Sequence, residues 1–163
     1  MEKLLEFIPN KQGTILDVGC GLGATTHYLL KYYPLTAIVE INISSRQIAR
    51  SLLNFSEGKF LLMDAVDMDF ADHSFEQIIC VEAAFYFNTR QQFLQEAWRV
   101  LKPGGTLILS DLSFATTELL GDWTVPQANT VRDMAEYQNL YQQAGFKDVQ
   151  FVEVTEECRN WQL

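Results

Sequence analysis

The sequence is poor in positive charge, in cysteine and in histidine, and each scarcity excludes a class of function. Its 163 residues contain 12 Lys and Arg against 21 Asp and Glu, which gives a net charge of −9. Without a basic run to neutralise phosphates, we expect neither a nucleic-acid partner nor an anionic membrane surface. The three cysteines, Cys20, Cys80 and Cys158, are widely spaced, and the sequence has no Cys-x-x-Cys or Cys/His cluster. We therefore expect no metal site, no disulfide framework and a reduced, cytoplasmic protein.

Long apolar runs and several enzyme motifs are also missing. No stretch approaches the roughly 20 apolar residues of a membrane span, and Glu2 and Glu6 make the first residues unlike a signal peptide. The sequence has no Gly-x-x-x-x-Gly-Lys-Ser/Thr loop for nucleoside triphosphates and no Gly-x-Ser-x-Gly turn of a hydrolase. Because no repeat or linker interrupts the chain, we expect residues 1–163 to form a single domain.

Short β-rich runs alternate with helical patterns along the chain. The predicted strands are Thr14–Val18, Leu35–Ile41, Lys59–Met63, Glu76–Glu82, Thr106–Leu112 and Lys147–Val154. The predicted helices are Ala24–Tyr33, Ser44–Asn54, Thr89–Leu101 and Val131–Ala144. Ser44 with Gln47, and Thr89 with Gln92, predict capping boxes at two helix starts. Apolar strands separated by helices indicate an α/β fold: a Rossmann-like, doubly wound, mostly parallel sheet with helices on both faces and ligands at the carboxyl ends of the strands.

A glycine-rich turn follows the first predicted strand. Gly19, Gly21 and Gly23 lie between the strand and a helix, where glycine allows a sharp turn and close approach of a ligand. Read as Gly19-x-Gly21-x-x-Ala24, with Glu40 about 20 residues further on, the turn also fits a dinucleotide fingerprint. On this motif alone a nicotinamide cofactor stays open.

Asp17, two residues before the first glycine, gives the turn a second interpretation. Asp-x-Gly-x-Gly-x-Gly resembles motif I of class I S-adenosylmethionine-dependent methyltransferases, in the small-molecule (type 11-like) group. Four further segments resemble motifs of the same family and follow in the family's order. They are Asn42-Ile43-Ser44, Met63-Asp64-Ala65, the stretch from Val81 to Phe87, and Arg99–Gly105 before the fifth strand. The resemblance covers residues 14–154 and implies S-adenosylmethionine as cofactor. It further implies methyl transfer to a small-molecule acceptor such as a natural product.

The resemblance also implies which residues bind the cofactor. They are Asp17, Gly19, Cys20, Gly21, Gly23, Asp64, Ala65, Val81 and Glu82. After the second strand, the family's acidic ribose ligand aligns with Asn42. Glu40 precedes it by two residues, so strand alternation places both side chains on one face. Both stay candidates for the ribose.

The acceptor side is less specified. Many relatives carry histidine where Tyr86 stands, whereas His27 and His73 of this chain lie in other segments. Tyr86 is therefore predicted to orient the acceptor or to act as a weak base, the alternative being a wall of the cofactor pocket. Trp123 lies in the long connection Ser113–Thr130, and long connections of this kind are often functional covers. We predict that Trp123 contacts the acceptor.

The C-terminus departs from the family pattern. Relatives add a helix or cover and a further antiparallel strand after the last strand predicted here, and Glu156–Leu163 is too short and polar to supply them. Three explanations stay open: a truncated chain whose C-terminal strand is missing, direct pairing of the last strand with the fifth, or a second chain, such as the other half of a homodimer, over the fifth strand's edge. A non-catalytic partner subunit is accordingly considered beside the methyltransferase and the nicotinamide-dependent oxidoreductase.

Overall fold

The computed structural model describes residues 1–117, 119–120 and 123–153. Its helices and strands follow in the order α1 (Glu2–Leu5), β1 (Ile15–Val18), α2 (Ala24–Leu29), β2 (Ile38–Asn42), α3 (Ser45–Asn54), β3 (Lys59–Leu62), β4 (Phe75–Val81), α4 (Arg90–Val100), β5 (Leu101–Ser110), β6 (Leu119–Leu120), β7 (Trp123–Thr124) and α5 (Met134–Ala144). Short 3₁₀ turns cover Leu35–Ala37, Ala84–Tyr86 and Gln127–Asn129. In the described part of the chain, no helix has the length and apolar character needed to cross a membrane.

The main sheet has five parallel strands in the order β3-β2-β1-β4-β5. From β1 the chain moves outward to β2 and β3, then returns to the other side of β1 with β4 and β5. The strand order therefore reverses between β1 and β4, which is where open α/β sheets bind ligands at the carboxyl ends of their strands. The predicted fold class is confirmed.

Apolar side chains of the strands are buried on both faces of the sheet. On one face, side chains of β1 and β4 such as Leu16 and Ile78 pack with Phe93 and Leu94 of α4 and with Tyr141 of α5. The opposite face has its own core, made by Leu5, Ile8, Ile15, Leu29, Tyr33, Ile38, Ile79 and Ile108. Two buried faces explain why the strands read as continuous apolar runs in the sequence.

The two predicted capping boxes have different outcomes. Thr89 and Gln92 form the complete reciprocal box at the start of α4, as predicted. At α3, the Ser44 hydroxyl accepts from the Gln47 backbone N–H at 3.3 Å, but the Gln47 side chain accepts from Asn42 Nδ2 at 2.8 Å instead. The Ser44 N–H donates to Asn42 Oδ1 at 2.8 Å. Asn42 thus replaces the missing half of the second box.

The predicted strand Lys147–Val154 is wrong for the residues that the structure describes. Residues 147–153 are in no strand, and Val154 lies outside the described residues. The Phe151 ring instead packs against Tyr137 and Tyr141, with ring centroids 5.6 and 5.7 Å apart. A strand needs a hydrogen-bonded neighbour, and within the described ranges no strand lies beside the outer edge of β5. Residues 147–153 therefore do not pair with β5. A truncated chain and a covering second chain stay predictions, and residues 154–163 lie outside the described part.

Several predicted boundaries also shift. Helix α2 ends at Leu29 rather than Tyr33, and the residues that follow form turns in which the Tyr33 N–H donates to the Leu29 carbonyl at 2.9 Å. Strand β5 begins at Leu101 rather than Thr106, directly after α4. Helix α5 begins at Met134, because the Asp133 side chain accepts from the Glu136 N–H at 2.8 Å and so caps it there. The connection before α5 contains the small β6–β7 hairpin and a 3₁₀ turn rather than irregular backbone alone.

Candidate functional site

The glycine turn between β1 and α2 is built for close approach. Gly19, Gly21 and Gly23 have φ angles of 76°, 57° and 81°, which side chains rarely adopt. The N–H of Gly19 donates to the Ile41 carbonyl at 2.9 Å, which attaches the turn to β2. A Cβ on Gly19 would lie 2.6 Å from the Cβ of Ala83, so the loop after β4 packs directly against the turn. At Gly21 the same position has no atom of the described residues within 4 Å, so this part of the turn faces open space.

Two carboxylates lie next to each other beside this turn. Asp17 of β1 and Glu40 of β2 are register partners on adjacent parallel strands, and they are 1% and 0% exposed. The Thr26 hydroxyl donates to Oε1 of Glu40, and the Thr25 hydroxyl is hydrogen-bonded to Asp17. The other oxygens, Asp17 Oδ2 and Glu40 Oε2, are buried and have no hydrogen-bond partner among the residues that the structure describes. The site therefore holds two unsatisfied acceptors.

Burial changes the acidity of this group of residues. It raises the pKa of Asp17 well above its usual range, and the neighbouring Glu40 adds to this, while the hydrogen bond from Thr25 opposes it. Burial also raises the pKa of Glu40 to about 7, against the opposing effect of Thr26. The pKa of the Cys20 thiol is raised by burial and by both carboxylates. Such carboxyls hold a proton near neutral pH unless a cationic or hydrogen-bond-donating ligand stabilises their charge.

Glu40 and Asn42, the two ribose candidates, differ in their free hydrogen-bonding capacity. Asn42 is 8% exposed, and both ends of its amide already bond Gln47 and Ser44. Glu40 has one oxygen bound to Thr26 and one unpartnered. Asn42 therefore shapes the turn from β2 into α3, whereas Glu40 keeps one buried oxygen without a partner among the described residues.

The loops after β3 and β4 begin at the same edge of the sheet, where the carboxyl ends of the parallel strands lie. Asp64 accepts from the Val66 N–H at 3.1 Å through Oδ1, and Ala65 beside it is buried. Val81 ends β4, and Glu82 follows with a φ of 51° and an N–H that donates to the Ser110 carbonyl at 2.7 Å. A positive φ in a residue other than glycine is uncommon and clusters at functional sites. The predicted cofactor residues are thus collected at one edge.

Three aromatic side chains, two from the loop after β4 and one from β7, pack against each other. We call Phe85, Tyr86 and Trp123 the aromatic wall. The Phe85 and Tyr86 ring centroids are 4.2 Å apart, and the Tyr86 and Trp123 centroids are 4.4 Å apart. Phe85 is buried, whereas the Tyr86 side chain is 53% exposed. The structure therefore brings together the two residues that the sequence assigned to the acceptor.

Some of the residues that contribute to this region were not identified in the sequence analysis. Thr25 and Thr26 contact the two carboxylates, and their signal was two adjacent threonines placed directly after the glycine turn. Arg90, Asp111 and Asn129 form a buried polar network beside the aromatic wall. The available signal was that Asn129 lies in the same long connection as Trp123, six residues after it, whereas nothing local marks the other two. Within the described ranges, no group of three or more His, Cys, Asp or Glu side chains is arranged to hold a metal ion.

The doubly wound sheet, with a glycine turn and two carboxylates at its switch point, is typical of Rossmann-like domains, whose ligands lie in this crevice. A family model described as "Methyltransferase domain" matches residues 16–109, from β1 into β5. The chain belongs to this methyltransferase domain family.

Relatives of this chain are named as methyltransferases. The chain is 31% identical to methyltransferase GfsG of Streptomyces halstedii, over 97% of this chain and 62% of GfsG. It is 33% identical to the 2-methyl-6-phytyl-1,4-hydroquinone methyltransferase of a Synechocystis species, over 76% of this chain and 44% of that protein. The chain thus spans less than two thirds of the length of either relative.

Solved structures share the fold. A S-adenosylmethionine-dependent methyltransferase from Aquifex aeolicus superposes with a TM-score of 0.69 at 21% identity, covering 93% of this chain and 82% of that one. The [4+2]-cyclase SpnF superposes with a TM-score of 0.75 at 22% identity, covering 91% of this chain and 57% of SpnF. Since one of these neighbours is named as a cyclase, the fold by itself does not define the reaction.

Proposed function

We propose that this chain binds S-adenosylmethionine at the glycine turn and transfers its methyl group to a small-molecule acceptor. The observation that carries the proposal is the pair of buried, unpartnered oxygens on Asp17 and Glu40. The cofactor offers ribose hydroxyls, an ammonium group and a positively charged sulfur, so it brings the donors and the charge that these acceptors lack. The open space over Gly21 leaves room for it to lie against the backbone.

The same two carboxylates argue against a nicotinamide dinucleotide. In a dinucleotide site, the pyrophosphate lies over the glycine turn at the start of the following helix. Here that position adjoins the buried Asp17 and Glu40, whose carboxyls would have to stay protonated beside a pyrophosphate, because like charges in a weakly solvated place repel strongly. A cationic cofactor is favoured at this site because its positive charge stabilises the two carboxylates, whereas the negative charge of a pyrophosphate does not.

The remaining cofactor contacts are assigned by position at the sheet edge. The proposed cofactor-binding residues are Asp17, Gly19, Cys20, Gly21, Gly23, Glu40, Asn42, Asp64, Ala65, Val81 and Glu82. Glu40 is the proposed hydrogen-bond acceptor, because the amide of Asn42 is already bonded on both sides. Asn42 is proposed to line the cofactor site while its amide fixes the β2–α3 turn.

Bound S-adenosylmethionine supplies a methyl group on a cationic sulfur, ready for in-line displacement. The protein's own task is to align an acceptor atom with that methyl group, and alignment is worth several kcal/mol in such reactions. The aromatic wall lies beside the proposed methionine end and offers flat, polarisable surfaces to the acceptor. Tyr86 is 53% exposed, and its hydroxyl is proposed to orient the nucleophilic atom of the acceptor.

The proposal is tested with the purified chain and methyl-labelled S-adenosylmethionine. The probes are phenols, hydroquinones and hydroxylated macrolides, chosen because relatives are named for hydroquinone and oxygen methylation. We expect label in at least one acceptor and a lower rate for Tyr86→Phe, since that change removes only the hydroxyl. Tight binding of S-adenosylhomocysteine without label transfer to any acceptor would instead favour the non-catalytic partner subunit.

A further inference from the structure

Asn129 connects the two segments that carry the aromatic wall. Its side chain is 0% exposed. Nδ2 donates to the Phe85 carbonyl at 3.0 Å, in the 3₁₀ turn after β4, and to the Phe87 carbonyl at 2.7 Å, directly after that turn. Oδ1 accepts from the Arg90 N–H at 2.7 Å, at the start of α4. Asn129 therefore holds the turn that carries Phe85 and Tyr86 against the segment that carries Trp123.

A buried cation fixes Asn129 in turn. Arg90 is 0% exposed, and its guanidinium donates to the Asn129 carbonyl and, at 3.0 Å, to the Leu112 carbonyl. Its Nε donates to Asp111 Oδ2 at 2.8 Å, and the Tyr137 hydroxyl donates to the same oxygen at 2.6 Å. We call Arg90, Asp111, Asn129 and Tyr137 the Arg90 network. It joins the end of β5, the start of α4, helix α5 and the segment before α5.

Fold stability alone does not account for a network of this kind. A buried ion pair loses much of its Coulomb energy to desolvation, and apolar residues of similar volume often stabilise a fold as well. A planar guanidinium and a carboxamide, by contrast, fix the directions of several carbonyls at once. Four of the network's hydrogen bonds end on backbone carbonyls beside the aromatic wall: those of Phe85, Phe87, Asn129 and Leu112. The network thus controls backbone position on the acceptor side.

We propose that Asn129 is a positioning residue for methyl transfer. It fixes the Ala84–Tyr86 turn, and through it the aromatic wall, so that the acceptor lies in line with the methyl group. The effect of Asn129 on methyl transfer rests on the proposed function, whereas its effect on the position of the Ala84–Tyr86 turn does not. A misplacement of about 1 Å costs such reactions about 10²-fold in rate.

The test compares the wild type with Asn129→Asp and with Gln127→Glu. The Asp variant keeps an acceptor for the Arg90 N–H but removes both donors to the Phe85 and Phe87 carbonyls. Gln127 is exposed in the same 3₁₀ turn, so its change from amide to acid is a matched control. Should the Asp variant not fold, Asn129→Ser is a milder, neutral substitute that keeps one donor.

Three measurements are made on each protein. Hydrogen exchange reports the turn, because the N–H groups of Tyr86 and Phe87 bond within it to the carbonyls of Ala83 and Ala84. Calorimetry with S-adenosylhomocysteine reports the cofactor site, and label transfer to an acceptor that the wild type methylates reports turnover. For Asn129→Asp we expect faster exchange in residues 82–88, cofactor affinity within about twofold of wild type, and acceptor kcat/KM lower by about 10-fold to 10²-fold. Gln127→Glu changes none of the three.

Unchanged exchange at residues 82–88, or unchanged acceptor kcat/KM in an active enzyme, would overturn the proposal. Loss of cofactor affinity in parallel with turnover would also overturn it, because a general disturbance of the fold would then explain both. If the wild type methylates no acceptor, the proposed function fails. Exchange in the turn then decides the role of Asn129 by itself.

Discussion

Asp17 and Glu40 are paired across adjacent parallel strands, and each keeps one buried carboxylate oxygen without a hydrogen-bond partner within the described residues. Two unsatisfied acids at the switch point of an α/β sheet are unfavourable for the unliganded protein, because burial penalises their charge. A ligand that donates hydrogen bonds or carries positive charge removes that penalty. The arrangement thus lowers the stability of the unliganded chain and raises its affinity for a cationic cofactor.

Removing the carboxylate of Glu40 is predicted to change how stability depends on pH. The pKa of Glu40 is about 7 when folded, against an ordinary 4.5, so the folded chain binds an extra proton between these values. The free energy of unfolding therefore falls as the pH rises through this window. In Glu40→Gln that contribution is absent, and we expect the stability difference, wild type minus variant, to drop by about 2 kcal/mol from pH 5 to pH 8.

Urea unfolding at several pH values measures this difference. Glu57→Gln, an exposed change of the same kind on the loop before β3, is the matched control. A difference between wild type and Glu40→Gln that stays constant across the range would mean that Glu40 titrates as an ordinary carboxyl.

Substitutions at two glycines can separate the effect of ligand contact from the effect of backbone strain. The two glycines have similar backbone conformations but lie at different places in the fold. Gly21 and Gly104 have φ angles of 57° and 79°, and neither has an atom of the described residues within 4 Å of an added Cβ. Alanine at either position is expected to cost about 1 kcal/mol of stability, because of the left-handed backbone. Gly21→Ala is also expected to weaken S-adenosylhomocysteine binding by about 10-fold or more, since its methyl group occupies the ligand's space.

Gly104 lies in the first half of β5, at the other end of the strands, so Gly104→Ala is expected to keep full cofactor affinity. Calorimetry gives both dissociation constants. Equal losses of affinity in the two variants would contradict the placement of the cofactor over the glycine turn.

Trp123 is predicted to act on the acceptor rather than on the cofactor. Its ring lies 4.4 Å from Tyr86, between centroids, in the aromatic wall. We expect Trp123→Ala to lower acceptor kcat/KM by about 10-fold or more, while S-adenosylhomocysteine affinity stays within about twofold.

Trp98→Ala provides the matched truncation, because Trp98 packs on Phe146, away from the wall, with centroids 5.1 Å apart. It is expected to lower stability and to leave acceptor kinetics unchanged. Full turnover and acceptor affinity in Trp123→Ala would exclude the acceptor role.

Much of the fold could be predicted from local patterns. The strand, glycine turn and helix around Gly19–Gly23 are encoded within a few residues, and the Thr89 capping box marks the start of α4. The positions of Asp17 and Glu40 at strand ends followed from the same patterns. Their burial against one another followed only from the strand register, which sequence periodicity does not give.

Features that depend on distant partners could not be predicted. Residues 147–153 have a strand-like composition, but a strand forms only with a neighbour, and Phe151 packs on α5 instead. The ion pair of Arg90 and Asp111 joins residues 21 positions apart, and nothing in either local sequence indicates it. Asn42 aligned with a ribose ligand, yet its amide is bonded within the β2–α3 turn.

Calorimetric titration of the purified chain with S-adenosylhomocysteine and, separately, with NADH tests the central claim most directly. The two unpartnered carboxylate oxygens beside the glycine turn predict saturable binding of S-adenosylhomocysteine, lost or strongly weakened in Gly21→Val, and no binding of NADH. Saturable binding of NADH without binding of S-adenosylhomocysteine would contradict the account.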